Sequence, residues 1–418
     1  MARAADTHDG SFRRTEILNT AAALIAASGL RTSLQEIADA AGILPGSLYH
    51  HFDSKEAILV ELLRRFHTDL DHVAEQALDR LDETARPAFD RIATLGCAIA
   101  RCAVAHPAAL QMSNYESPSP NPELIELTQR RPDAAMDAML QTLRTARWEG
   151  YLRADVDLPL LADRMCQAML HVGLDVMRHN AATDKAAVLR CQILLEGLAA
   201  APPSDDQLDN SAAFAAADDV IRSWRDEGPA DDKAAHVRAV ARSEFGRRGY
   251  ENTTVRDISA AAGLGTGTVY RLIGSKDELL LSIMKSFGEK IAIGWDDVMK
   301  SDSSPIEKLD AVSWINTNIL DQYGDEFRIQ LAWMRQSPPD TPNPGWQFAS
   351  RLRQMKTLIA SAVRSGEIRI DSPSMELLAR SVIGLGYVPE NVLRERGTRA
   401  AQLHVRDTCL RGVVNRSG

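Results

Sequence analysis

A pattern of 23 residues that occurs twice constrains this chain more than any other feature of its sequence. The first copy, SLQEIADAAGILPGSLYHHFDSK, occupies residues 33–55, and the second, TVRDISAAAGLGTGTVYRLIGSK, occupies residues 254–276. An Ala-Gly pair, a Gly-x-x-Tyr spacing and a Ser-Lys pair fall at matching positions in both copies. Because such self-similarity marks a repeated structural element, we expect two copies of one unit in the chain.

Each copy predicts a helix-turn-helix. In the first copy, apolar residues spaced for a helix end at Gly42, where glycine accepts the left-handed backbone that follows a helix. A second helix is predicted over residues 45–52, with Leu48 and Phe52 turned inward. Because a helix-turn-helix lays its second helix in the major groove, the expected partner is double-stranded DNA.

Both copies resemble the DNA-binding domain of TetR-family transcriptional regulators. The resemblance covers GLRTSLQEIADAAGILPGSLYHHFDSKEAIL in the first copy and GYENTTVRDISAAAGLGTGTVYRLIGSKDELL in the second. It implies an all-α chain of two TetR-like units, each with a helix-turn-helix head and a helical domain for ligand binding and dimerisation. It also implies a sequence-specific transcriptional regulator, in most relatives a repressor, which a small molecule releases from an operator.

Two positions depart from the family pattern. The first copy has Leu44-Pro45 where the family usually places a small polar residue and a lysine. The second has Leu272-Ile273 where the family usually has an aromatic pair or His-Phe. The absent lysine removes one phosphate contact implied for the first head. A second interpretation therefore stays open, a ligand-binding or carrier protein whose DNA-binding heads have decayed.

The duplication extends beyond the heads. The segment WEGYL at 148–152, followed by LLA at 160–162, matches SGEI at 365–368, followed by LLA at 377–379. The expected division is a first head over 11–71, a first regulatory domain over 72–200, a linker with an extra helix over 201–229, a second head over 230–290 and a second regulatory domain over 291–416.

The last two helices of each unit are candidates for a dimer-like interface inside one chain. In the family these helices pair between two chains as a four-helix bundle, so the resemblance implies an intramolecular pseudo-dimer. Further self-association of pseudo-dimers stays open. The helices concerned are predicted over 159–179 and 184–200 in the first unit, and over 374–394 and 399–415 in the second.

Several expectations concern the connecting segments. Residues 1–11 are polar and are expected to be disordered, and one helix is predicted over 123–149. The linker contains an amphipathic helix over 211–227, whose apolar side includes Trp224, and we expect it to pack on one of the domains. Pro389 should kink or end the helix predicted over 374–394.

Charge and hydropathy narrow the function classes. The net charge is −9, and the second head carries ten Lys and Arg against eight Asp and Glu over 230–290. Without a strong excess of basic residues, non-specific DNA binding should be weak and specificity must come from placed contacts. No run of 18 apolar residues and no apolar leader are present in the sequence, so we expect no membrane association and a cytoplasmic location.

Candidate DNA contacts follow from the resemblance and from the outward positions of the helices. Tyrosine at a groove edge can donate to a phosphate oxygen, and lysine at a helix start adds to the positive N-terminal dipole. Arg271 can make a two-bond contact with guanine, which His50 cannot, so the half-sites are expected to differ. Arg14 has an alternative interpretation as part of a solvated basic segment. The candidates are Arg14, Ser33, Pro45, Gly46, Ser47, Tyr49, His50, Lys55, Thr254, Arg256, Thr266, Gly267, Thr268, Tyr270, Arg271 and Lys276.

A small apolar effector is the second expected partner. Methionine-rich and aromatic helices can line an adaptable apolar pocket, although ordinary helix core gives the same composition. An acyl-CoA or another lipid-like compound is the effector class that the resemblance of residues 123–200 to some relatives implies. The candidate ligand-binding residues are Met112, Met136, Met139, Met169, Trp314 and Trp333.

Catalytic and metal chemistry find no support in the sequence. It contains no nucleophile elbow and no glycine-rich phosphate loop after a strand. His50 and His51 beside Asp53 do not predict a metal site, because adjacent residues on a helix point about 100° apart. We therefore expect no enzyme activity, no cofactor and no metal.

Overall fold

Helices dominate the computed structural model of the chain. It describes residues 3–30, 32–81, 85–112, 121–173, 182–226, 232–250, 253–336, 348–370, 372, 374–388 and 390–416. Within these residues, two isolated β-bridges are the only extended pairing between segments. The fold is all-α, as the sequence predicts.

The first unit contains ten helices in its described part. Helix α1 begins at Arg3, so the prediction that residues 1–11 are disordered is wrong for residues 3–11. Arginine and alanine near the start favour the helix, which extends the amphipathic segment that follows. The helices are α1 (Arg3–Ser28), α2 (Leu34–Ala40), α3 (Pro45–Tyr49), α4 (Lys55–Leu78), α5 (Ala88–Ala105), α6 (Pro107–Met112), α7 (Pro122–Gln129), α8 (Asp133–Trp148), α9 (Leu158–Leu170) and α10 (Thr183–Glu196).

The linker and the second unit continue the helical order. Helices α11 (Asp205–Asp209) and α12 (Ala212–Asp226) lie in the linker. A π-helical turn over Arg406–Arg411 ends the helical part of the chain. The helices of the second unit are α13 (Lys233–Arg248), α14 (Val255–Ala261), α15 (Thr266–Ile273), α16 (Lys276–Lys300), α17 (Pro305–Gln322), α18 (Gly324–Gln336), α19 (Phe348–Arg364), α20 (Met375–Leu385) and α21 (Glu390–Val405).

Several predicted helices are shorter in the structure. The single helix expected over 123–149 is two helices, because Pro132 lacks a backbone N–H and disfavours helical geometry in the residue before it. The helix expected over 45–52 is Pro45–Tyr49. The helix expected over 374–394 ends at Leu385, before Pro389, and a second helix begins at Glu390. Position 389 itself lies outside the described residues.

Each head packs three helices and the start of a fourth around a small apolar core. In the first head, Ile37 of α2 and Leu48 of α3 are fully buried against α1. In the second head, Ile258 and Val269 occupy the same places. Capping boxes start α2, α14 and α16, with Ser33, Thr254 and Ser275 as the N-cap residues. Local sequence therefore sets where these helices begin.

The two units form reciprocal backbone hydrogen bonds around a pseudo-twofold axis. The Ala199 N–H donates to Leu410 O at 2.9 Å, and the Val414 N–H donates to Leu195 O at 3.1 Å. Ala199 and Val414 each lie two residues after a glycine that ends a helix, and the acceptor of each lies two residues before the corresponding glycine of the other unit. The β-bridges Leu152↔Val414 and Ala199↔Ile368 repeat the same relation. The units therefore form a dimer-like pair within one chain.

Two glycines allow the backbones to cross at this axis. Gly197 and Gly412 have φ values of 75° and 76°. A Cβ atom on Gly197 would lie 2.4 Å from the Gly412 nitrogen, and one on Gly412 would lie 2.3 Å from the Glu196 carbonyl carbon. Only glycine fits both the backbone conformation and the space. The predicted intramolecular pseudo-dimer is confirmed, with helix α10 packed on α20 and on the π-helical turn.

Side chains add polar contacts across the unit interface. Buried Arg164 of α9 donates to Leu385 O at 2.5 Å. The Asn391 amide donates to Asp163 at 2.8 Å, and Arg396 pairs with Asp157 at 2.8 Å. These bonds fix α9 of the first unit against α20 and α21 of the second.

The described part of the linker, residues 201–226, packs on the second unit. In α12, Phe214 stacks on Trp314 with ring centroids 5.5 Å apart, and Trp224 meets Tyr323 edge-on at 5.7 Å. Gly294 of α16 lies between these helices, since a Cβ atom there would lie 2.9 Å from Ile315 of α17 and 3.5 Å from Val220 of α12. The apolar side of α12 is thus buried on α16 and α17. The first unit has no such additional helix among its described residues.

A buried ion cluster holds the shorter linker helix. The Arg406 side chain is fully buried and lies 2.8 Å from Asp310, 2.7 Å from Asp209 and 3.0 Å from Asp205. Arg411 also pairs with Asp205, at 2.6 Å. Burial raises the pKa of Asp310, and hydrogen bonds from Arg406 and Gln402 counter that rise. The cluster joins the linker to the core of the second unit.

Candidate functional site

The second helix of each helix-turn-helix presents an exposed face. Tyr49 of α3 and Tyr270 of α15 have 53% and 51% of their surface exposed. Ser47 and His50 are exposed beside the first tyrosine, and Arg271 is exposed beside the second. These side chains lie where the sequence places the DNA-facing surface. Because they form no part of the core, they are available to a ligand as large as a duplex.

The two exposed faces carry different chemistry at matching positions. His50 corresponds to Arg271, whose guanidinium lies 3.3 Å from the Thr268 hydroxyl. Gln35, which donates to Asp39 at 2.8 Å, corresponds to the exposed Arg256. The second face therefore offers two guanidinium groups where the first offers an imidazole and an amide.

Glycines keep the starts of both recognition helices open. A Cβ atom on Gly46 or Gly267 would meet no atom within 4 Å. Pro45 and Thr266 are the first residues of their helices, and both are half-buried. A phosphate backbone can therefore approach the N-terminus of either helix closely, where unpaired N–H groups point outward.

Three predicted phosphate contacts also have roles within the protein. Arg14 donates to His51 O and lies over the Phe52 ring, with the guanidinium carbon 4.1 Å from the ring centroid. Lys55 donates to Leu30 O and is partly buried, and burial lowers the pKa of its ammonium group. The Lys276 ammonium lies over the Tyr250 ring at 4.1 Å.

Two further predicted contacts, Ser33 and Thr254, serve as helix caps. The Ser33 N–H donates to the Glu36 carboxylate at 2.6 Å, and the Thr254 N–H donates to Asp257 at 2.8 Å. The hydrogen bonds from Thr254 lower the pKa of Asp257. Both hydroxyl groups remain on exposed residues at the N-terminus of a helix. Each hydroxyl already accepts a backbone N–H and donates to the same carboxylate, Ser33 to Glu36 at 2.7 Å and Thr254 to Asp257 at 2.6 Å, so a phosphate contact would have to replace the bond to the carboxylate.

Besides the long helix that continues from each head into its body, one further helix contacts each head, α6 in the first unit and α18 in the second. Gln111 of α6 donates to Ala26 O of α1 at 3.2 Å. In the second unit, Arg242 of α13 pairs with the buried Glu326 of α18 at 3.3 Å. Helices α6 and α18 also contact each other across the unit interface. Movement of either helix can therefore change the position of a head.

Comparison with known proteins agrees with these features. The model of a family described as bacterial regulatory proteins, tetR family, matches residues 17–62 and 237–283. The HTH-type transcriptional repressor KstR2 of Mycobacterium tuberculosis is 38% identical over 152 residues, which cover 36% of this chain and 74% of that protein. This chain belongs to the TetR family.

Two other matches in the family cover different lengths. KstR2 of Rhodococcus jostii is 62% identical over 66 residues, which are 16% of this chain and 32% of that relative, so the match spans about a third of its length. A solved structure of the ketosteroid transcriptional regulator KstR2 of Mycobacterium tuberculosis covers 43% of this chain and 92% of its own, at 20% identity and a TM-score of 0.37.

The predicted ligand-binding residues of this TetR-family chain do not share one cavity in the described structure. Met112, Met139 and Met169 are buried in the core of the first unit. Met136 is half-buried, with its sulfur 3.5 Å from Arg131. Trp314 stacks on the linker helix, and the side chain of Trp333 lies outside the described residues. The methionine-rich set is therefore closely packed core in this state.

The interior of the second unit is more polar, a feature that the methionine count did not reveal. Gln330 of α18 is fully buried, and neither its amide nitrogen nor its amide oxygen has a hydrogen-bond partner. Among the described residues of the first unit, Gln111 is the only neutral side chain with such an atom. In the second unit the neutral side chains with one are Trp314, Thr317, Asn318, Gln322, Gln330, Ser381 and Gln402, together with His404.

The sequence itself contains a pattern that could have indicated these buried polar residues. Trp314, Asn318 and Gln322 lie four residues apart on α17, so they share one face of the helix. Counted from the start of each helix, the matching residues of α5 are Cys97, Arg101 and Ala105. The difference between the stripes is one of burial, since Arg101 is exposed and pairs with Asp184, whereas Asn318 is fully buried.

Two depressions are present, one between the units and one at the end of α8. A cavity of about 20 Å³, room for one water molecule, lies between the units and is lined by Ser313, Asn316 and apolar residues such as Ile193 and Leu410. An open groove of about 480 Å³ at the end of α8 is lined by Arg144 and Trp148, whose side chain is 84% exposed. None of the six predicted ligand-binding residues lines either of them.

The described residues lack two other kinds of feature. No helix there is both long enough and apolar enough to span a membrane. No cluster of three or more His, Cys, Asp or Glu side chains in the same residues is arranged to hold a metal ion.

Proposed function

We propose that this regulator is a repressor that occupies one operator with both heads of a single chain and leaves it when a small effector binds. The reciprocal backbone hydrogen bonds around Gly197 and Gly412 carry the proposal, because they join two helix-turn-helix heads in one dimer-like body. A helix-turn-helix dimer binds two half-sites about one helical turn apart, roughly 34 Å. One chain then supplies what two subunits supply elsewhere.

Charge supports recognition through placed contacts. With a net charge of −9, the chain has no general attraction to the phosphate backbone. The cations that remain near the recognition helices, such as Arg256 and Arg271, therefore decide most of the affinity. The chain acts on DNA, and we expect it in the cytoplasm.

The polar interior of the second unit supports an effector site there. Burying a polar group without a hydrogen bond costs about 1–3 kcal/mol, and several such groups lie on α17, α18 and α20. An apolar molecule with a carbonyl or carboxylate group, such as an acyl-CoA or a ketosteroid, would satisfy some of them. Binding would require α18 or α19 to move outward, because the cavity in this state holds only one water molecule.

Such a movement would be transmitted to the DNA-binding heads through α18. This helix holds the second head through Arg242 and Glu326 and contacts α6, which holds the first head. An outward shift of α18 would change the spacing of the two recognition helices. The effector releases DNA only if it binds the displaced state more tightly, by about 10⁴-fold for a complete switch.

The test is titration of the full chain with labelled DNA from upstream of its own gene, followed by a panel of acyl-CoAs, fatty acids and steroids. We expect saturation at one chain per duplex and release by at least one compound. Two chains per duplex would contradict the single-chain proposal. A chain that binds a compound in calorimetry but no DNA would favour the rival function, a ligand-binding or carrier protein with decayed heads.

A further inference from the structure

We infer that the two heads read unlike half-sites, the first through contact of Leu44 with a thymine methyl group and the second through two hydrogen bonds from Arg271 to guanine. This inference rests on the proposed function and names the DNA that it requires. Leu44 lies outside the set of DNA contacts expected from the sequence, where it stands only as a departure from the family pattern.

Leu44 occupies a position suited to base contact. It is the N-cap residue of α3, with φ −70° and ψ 146°, and 76% of its surface is exposed. The first residues of a recognition helix are those that contact base edges in the major groove. An apolar side chain there can bury surface only against the thymine methyl, the one apolar group that bases present in this groove. The first head should therefore favour a T·A pair.

The second head lacks this group and has another. Gly265 takes the N-cap position of α15, so no side chain reaches the groove from that point. Arg271 lies in the last turn of α15 and is exposed. Its guanidinium donates to the Thr268 hydroxyl on the same face at 3.3 Å, which orients the side chain. A guanidinium matches the O6 and N7 acceptors of guanine. The second head should therefore favour a G·C pair.

Because the two units are fused in one chain, the difference between the heads affects the symmetry of the operator. In a homodimer both heads are identical, so the operator is a palindrome. Here the two units meet at Gly197 and Gly412 within one chain, so each pseudo-dimer contains one copy of each head. The preferred operator is then asymmetric, with one thymine-dependent half and one guanine-dependent half.

Base analogues test each contact without changing the fold. Deoxyuridine in place of thymine removes only the methyl group, and 7-deazaguanine removes only the N7 acceptor. On a duplex selected from random DNA by the full chain, we expect deoxyuridine to weaken binding about threefold to fivefold and 7-deazaguanine to weaken it fivefold or more. Leu44→Gly should abolish the first effect alone, and Arg271→Ala the second alone.

A head-swap variant tests the asymmetry itself. Leu44→Gly combined with His50→Arg gives the first head the side chains of the second at these two positions. This variant should prefer a symmetric duplex built from two copies of the guanine-dependent half. Equal binding of thymine and deoxyuridine duplexes by the natural chain would overturn the role of Leu44. Selection of a palindrome by the natural chain would overturn the asymmetry, whereas failure to bind any DNA would instead reject the proposed function.

Discussion

At matching positions, the first unit buries Ala93 and Cys191 where the second buries Asp310 and Arg406. Ala93 and Asp310 are each the sixth residue of α5 and α17, and Cys191 and Arg406 each lie six residues before the crossing glycines. One fold thus accepts either an apolar pair or an ion pair at one place. The difference shows that the second unit uses this place to hold the linker, since Arg406 also binds Asp205 and Asp209.

The same comparison extends to the interiors and the heads. The core of the first unit is mainly apolar, with methionine and cysteine among its leucines, isoleucines and alanines, whereas α17 and α18 of the second bury polar side chains without partners. The first head presents Leu44 and His50, and the second presents Arg256 and Arg271. Duplication has therefore produced two units that keep a common packing plan and differ in what they can bind.

The largest effect should come from breaking the buried ion cluster. Arg406→Cys introduces the residue of the first unit and leaves Asp310 buried without its main partner, so we expect a loss of about 3–5 kcal/mol in the free energy of unfolding. Adding Asp310→Ala, which completes the match to the first unit, should recover much of that loss. Urea unfolding measures both, with Arg394→Ala, an exposed arginine outside the cluster, as the control. An equal loss in the single and double variants would show that the two units are not interchangeable here.

Removing one guanidinium from the second head should weaken DNA binding more than the matched change in the first. We expect Arg271→Ala to cost about 1–3 kcal/mol of binding free energy, because a two-bond contact to guanine is lost. His50→Ala should cost less than 1 kcal/mol, about one neutral hydrogen bond. Fluorescence anisotropy on one duplex compares them. Equal losses would mean that both heads contribute alike and would remove this part of the comparison.

Replacing the buried amide of the second unit should separate stability from response. Gln330→Met keeps the size of the side chain and removes two buried polar atoms that have no partner. We expect the free energy of unfolding to rise by about 1–2 kcal/mol and the effector to release DNA less well. Met139→Leu in the buried core of the first unit is the matched control and should change the response little. A less stable Gln330→Met protein would indicate that bound water satisfies the amide.

The smallest effect concerns acid stability of the linker contact. Hydrogen bonds from Arg399 and Arg406 lower the pKa of Asp209 to about 2. Because this pKa is below that of the unfolded chain, the carboxylate stabilises the fold above about pH 4, and the contribution is lost as pH falls towards 2. Asp209→Asn should therefore reduce stability at pH 7 by less than about 2 kcal/mol and flatten the acid limb. Asp206→Asn on the same helix should leave the limb unchanged.

The sequence by itself determined the repeat, the helix-turn-helix heads and the all-α class. Caps at Ser33, Thr254 and Ser275, with inward residues such as Leu48 and Val269, are local signals that a short segment contains in full. The pseudo-dimer followed only through the family resemblance. The position of Pro132, which interrupts the helix predicted over 123–149, was readable but was outweighed by the surrounding helical pattern.

Only the tertiary structure decided which residues meet across the two units. Gly197 crosses Gly412, and Arg406 binds acids of the linker and of α17, through segments that lie from 96 to 215 residues apart in the chain. The burial of Gln330 without a partner likewise depends on the helices that pack around it. It also showed that Lys55 is held by Leu30 O and that the predicted methionines are packed core. Helical periodicity states which face of a helix is buried, but it does not state against what, because packing partners are chosen by the whole fold.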